Sequence, residues 1–100
     1  MPADQFKIKS KVWVYPGMAA WRFLSLPKKQ SNQINKLFGE LKRGWGSLPV
    51  KVTIGKTSWK TSIFPDRKSG AYLLPLKAEV REKEAIKPGD MVPFTLEIRV

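Results

Sequence analysis

Apolar residues recur at every second position along the longest regular stretches of this chain. Val92, Phe94, Leu96, Ile98 and Val100 form one unbroken row. Phe6, Ile8, Ser10, Val12 and Val14 form another, with Lys7, Lys9, Lys11, Trp13 and Tyr15 between them. A period of two places neighbouring side chains on opposite faces, which is the pattern of a strand buried on one side. Val50, Val52 and Ile54 repeat it, Gly55-Lys56-Thr57 reads as a hairpin turn, and Ser58 to Phe64 reads as the returning strand. Trp21 to Leu26, closed by Pro27, and Ala71 to Leu74, ending at Pro75, are two shorter strands. Pro93 cannot donate to a ladder, so it marks an edge or a bulge.

Helical spacing is confined to two places. Ile34, Leu37, Phe38 and Leu41 sit at i, i+3, i+4 and i+7, which predicts a helix near Ser31–Phe38 with Ser31 as N-cap and Gly39 as its stop. A shorter helix is expected near Lys77–Glu84, with Glu79 and Lys83 paired at i, i+4. Six short strands punctuated by turns predict a mainly β fold, a small closed or nearly closed six-stranded β-barrel with two short helices. The expected core is Ile8, Val12, Val14, Ile34, Leu37, Phe38, Val52, Ile54, Leu74, Val80, Phe94, Leu96 and Ile98. One hundred residues suit a single domain, 1–100.

A hydrophobic fraction of 42% argues against disorder in spite of a net charge of +11. That charge is lopsided. Residues 1–60 carry twelve Lys and Arg against Asp4 and Glu40, a balance of +10, whereas residues 61–100 carry seven against six. Such a field attracts polyanions. No apolar run approaches the roughly 20 residues that span a bilayer, so no membrane insertion is expected. With no cysteine and no secretory pattern at the N-terminus, a cytoplasmic location is expected.

The chain has no histidine and no cysteine, so the commonest general base, the thiolate nucleophile and the usual zinc ligands are all missing. Gly55-Lys56-Thr57 has the ending of a phosphate-binding loop, but the glycine required five residues earlier is Val50. Glu79, Glu82 and Glu84 are interleaved by Arg81 and Lys83, as on a solvated helix face. These features predict no enzyme, no catalytic residues, no cofactor and no metal.

Aromatic residues beside cations carry the main functional expectation. Aromatic platforms ringed by Lys and Arg bind single-stranded nucleic acid by stacking and phosphate contact. Lys7, Lys9, Lys11, Arg43, Trp45 and Lys60 are the candidate nucleic-acid-binding residues. Weak, sequence-tolerant binding is the favoured reading.

Gly55, Trp59, Thr61-Ser62, Phe64-Pro65, Gly70, Tyr72, Leu74-Pro75-Leu76-Lys77, Val80-Arg81 and Pro88-Gly89-Asp90 form an ordered set, preceded by Trp21, Leu26-Pro27, Ser31, Ile34, Leu37-Phe38-Gly39 and Gly44. In this set the chain resembles the bacterial and archaeal family of unknown function numbered nineteen-oh-five. The resemblance implies a small closed β-barrel with short helical insertions and no established activity. The densest run of family-like residues includes Trp59, Ser62, Tyr72, Lys77 and Arg81, which mix aromatic, hydroxyl and cationic groups. They are the candidate ligand-binding residues for an alternative partner, an anionic small molecule.

Overall fold

The computed structural model describes residues 5–17, 21–41, 46–66 and 68–99. Six strands form a closed antiparallel barrel: β1 (Gln5–Val14), β2 (Arg22–Ser25), β3 (Leu48–Ile54), β4 (Thr57–Pro65), β5 (Tyr72–Leu76) and β6 (Met91–Ile98). Around the barrel the order is β1-β2-β5-β4-β3-β6, closed by β6 on β1. The expected mainly β barrel with two short helices is what the chain forms.

Two long strands turn the corners. β1 pairs with β6 through Gln5–Lys11 and then with β2 through Val12–Val14. At its bend the buried Ser10 donates from Oγ to the Ser25 carbonyl at 2.6 Å, which satisfies a hydroxyl on an otherwise apolar inner face. β4 pairs with β3 through Thr57–Ile63, and only Phe64 and Pro65 reach β5. Pro75 explains why that second ladder is so short. The Tyr72 carbonyl accepts from Leu26 N–H on the β2 side, so by alternation Leu73 and Pro75 address β4. Pro75 has no N–H to offer, and the β4–β5 wall is unpaired beyond Leu73. Contrary to the expectation that β5 ends before it, Pro75 lies within the strand, opposite Phe23. Pro93 is accommodated in a similar way. It pairs with Lys9 on β1, past the last β3–β6 pair at Thr53 and Thr95.

The helices close the two ends. α1 (Lys28–Phe38) joins β2 to β3 and continues into a 3-10 turn at Gly39–Leu41; α2 (Ala78–Lys83) joins β5 to β6 at the opposite end. α1 begins three residues earlier than expected, with Pro27 at its N-cap. Ser31 is therefore inside the helix and not its cap. It faces the barrel, 1% exposed, and its Oγ accepts the Tyr72 N–H at 3.0 Å. Glu79 and Lys83 on α2 form the expected ion pair at 3.1 Å, exposed to solvent.

Eleven of the thirteen expected core residues lie in the core or pack against it, among them Ile8, Ile34, Phe38, Val80 and Leu96. Val14 is half-buried. Leu37 is a correction: it is 55% exposed. The inward stripe of α1 is Ser31, Ile34 and Phe38, and Leu37 is rotated by about 100° from Phe38, off that stripe. The core also takes in Leu24, Leu26, Leu48, Val50, Ile63, Tyr72, Leu76 and Val92.

Candidate functional site

Strand alternation decides which charged side chains reach solvent. Ile8, Ser10 and Val12 point into the barrel, so Lys7, Lys9 and Lys11 stand exposed along the outer face of β1. Residues two apart on a strand are spaced by about 6.8 Å, so the three lysines leave the strand at even intervals. Lys7 and Lys9 border an open depression of about 490 Å³ whose lining includes Pro93 and Thr95 of β6 and Thr53 of β3.

The row leads into aromatic rings. Trp13 and Tyr15 follow on the same face, and Phe23 is the cross-strand partner of Trp13. Trp13 and Phe23 have ring centroids 5.2 Å apart, Tyr15 and Phe23 5.9 Å, and Trp21 and Phe23 6.0 Å with only 15° between planes. The Trp13 indole N–H donates to Ser25 Oγ at 2.9 Å, which fixes the ring in place. Tyr15 is 44% and Trp21 49% exposed, so ring faces remain open to solvent. Trp21 and Phe23 are not among the residues expected to bind nucleic acid. Their i, i+2 spacing was the available signal, because it puts both on the face that β2 shares with Trp13.

The other expected nucleic-acid residues lie elsewhere. Lys60 is exposed on β4, directly opposite Lys51 on β3, with Glu97 on the other side of Lys51. In the barrel order this places Lys60 three strands from β1. Arg43 and Trp45 lie outside the described residues.

The five residues expected for a small ligand are divided between the ends of the barrel. Tyr72 is buried at the α1 end, where its hydroxyl donates to Asn35 Oδ1 at 3.3 Å. Trp59 points inward from the other half of β4 and packs against the core. Arg81 is half-buried on α2, Ser62 is half-buried on β4, and Lys77 is exposed before α2. The α2 end is tied to the β3–β4 hairpin by Thr57, whose Oγ1 donates to Glu84 Oε2 at 2.7 Å.

The family model described as Domain of unknown function (DUF1905) matches residues 9–96. The chain belongs to the DUF1905 family. The match runs from β1 to β6, so the barrel and both helices of this chain are the DUF1905 unit. No curated protein matches the chain. Among the described residues of this DUF1905 domain, no helix is long and apolar enough to cross a membrane, and no group of three or more His, Cys, Asp or Glu is placed to hold a metal ion.

Proposed function

We propose that this DUF1905 domain is a non-catalytic cytoplasmic binding module that takes single-stranded nucleic acid on the outer face of β1 and β2. One observation carries the reading: an even row of exposed lysines runs along one strand face directly into a four-ring aromatic cluster. Lysines neutralise phosphates and release counterions, and open aromatic faces accept unstacked bases of any sequence. Duplex DNA offers no such unstacked bases, so single strands are the better fit. Trp59 has no part in this surface because it faces inward; Trp13, Tyr15 and Trp21 supply the stacking.

The test is fluorescence anisotropy with labelled single- and double-stranded oligonucleotides at two salt concentrations. If the three lysines neutralise three phosphates, the affinity for single strands falls about 20-fold between roughly 50 and 200 mM salt. Changing Lys7, Lys9 and Lys11 together to Gln flattens that dependence. Trp13→Ala weakens binding by about 1–3 kcal/mol if a base stacks there. No binding at low salt, or binding untouched by these changes, rejects the reading.

A second reading, an anionic small molecule near the Trp59–Arg81 segment, is favoured by the Trp59 indole Nε1, which is enclosed without a hydrogen-bond partner.

A further inference from the structure

The α2 end of the barrel carries a positive charge that the described residues do not neutralise. Arg22 opens β2, paired with Val14 of β1 and Leu76 of β5. Leu24, two residues on, is fully buried, so alternation turns Arg22 to the same inner face. Nε and Nη1 of its guanidinium are shut off from solvent and have no hydrogen-bond partner. Neither the Lys83–Glu79 nor the Arg99–Glu97 ion pair involves Arg22. Of the eight acids in the chain, all but Asp4 are described, and none of those accepts from Nε or Nη1 of Arg22.

Trp59 adds a second donor. Its indole Nε1 is also enclosed without a partner. Extending the Phe64–Leu73 register sets Thr61 level with Leu76, and hence with Arg22, and makes Trp59 the next inward residue toward α2. Between these levels β4 and β5 have no paired residues.

Arginine does not shed its proton, so it cannot relieve its burial by becoming neutral. Guanidinium N–H groups shut off from water without an acceptor are destabilising, and a matching oxyanion relieves that. The planar guanidinium fork fits a carboxylate or a phosphate, and an indole N–H complements either with one directed bond. We propose that the seam between β4 and β5 holds the carboxylate or phosphate group of a small molecule on Arg22, with Trp59 Nε1–H as a second donor. The proposal deepens the small-ligand reading, names a residue that reading did not contain, and is independent of the outer lysine row.

The experiment is a thermal melt with inorganic phosphate or succinate, against sodium chloride at matched ionic strength, combined with NMR of the indole N–H groups. At about five times the Kd, the bound anion raises Tm by roughly 4–8 °C. Whichever anion acts identifies the chemistry as phosphate or carboxylate. The Trp59 indole resonance shifts on titration while that of Trp13, already bonded to Ser25, stays in place. Arg22→Met abolishes the rise and, in anion-free buffer, melts no lower than the parent because the enclosed charge is gone. Arg22→Lys keeps the charge but loses the fork, and weakens binding at least tenfold. The proposal is overturned by no rise with either anion, by a rise that survives Arg22→Lys, or by a shift at Trp13 instead of Trp59. The last result would assign the anion to the outer lysines, and failure of the outer surface in the oligonucleotide assay would leave the seam unaffected.

Discussion

At the scale of single residues, Ile34 and Leu37 separate a helix's apolar spacing from the part of it that packs. Both belong to the same i, i+3 pattern, yet Ile34 is fully buried and Leu37 is more than half exposed. Ile34→Ala is expected to cost about 2–5 kcal/mol through lost burial and the cavity left behind, and Leu37→Ser to stay within about 0.5 kcal/mol. Urea unfolding of the two variants measures the difference directly; comparable losses would contradict the assigned face. The sequence could not make this distinction, because a stripe of four apolar positions is wider than the contact α1 makes. Arg22 escaped notice for the opposite reason. A single cation inside an apolar strand reads as an outward position until its paired strands fix the register.

Elements are joined here by a small number of polar contacts that local pattern does not reveal. Ser31 looked like a helix cap since Ser is a common one, but Pro27 takes that place and Ser31 turns inward one helical turn later. Its hydroxyl receives the β5 N–H of Tyr72 and points, at a longer 3.4 Å, to the Leu26 carbonyl. Ser31→Ala favours the helix intrinsically yet leaves a buried N–H without a partner, so a net loss of about 1–3 kcal/mol is expected. Amide exchange at Tyr72 accelerates in the same variant; unchanged exchange would mean that another acceptor takes over. The strands themselves were legible because alternation over five or more residues is decisive. Their ends at Pro75 and Pro93 were not. Whether a proline terminates a strand depends on which neighbour its missing N–H would have faced.

For the whole molecule, the sequence announced a barrel but not the order of its staves. Alternation identifies inward residues without saying which strands adjoin, and β6 sits between β1 and β3, far from both in the chain. The lysine row and Trp13–Tyr15 were readable from β1 alone, whereas the full aromatic cluster needed the β1–β2 pairing. The β4–β5 seam, with two paired residues on each side, is the weakest part of the wall. Native-state hydrogen exchange is expected to show the amides of Phe64 and Leu73 opening with less free energy than those of Leu96 or Ile8. Equal protection around the barrel would mean that it opens only as a unit.

The position of β6 also governs when this fold can come into being. As the chain leaves the ribosome, β1 and β3 emerge with one flank each still unclaimed, and the strand that fills both gaps is the last to appear. No earlier segment can stand in for it, since Gln5–Lys11 and Val50–Thr53 are both in register with β6. The barrel therefore cannot close until β6, through Ile98, is clear of the exit tunnel. Those waiting edges are open to pairing with another chain. Charged side chains along an edge strand oppose such pairing, and Lys7, Lys9 and Lys11 stand exposed along β1, the edge that waits for β6.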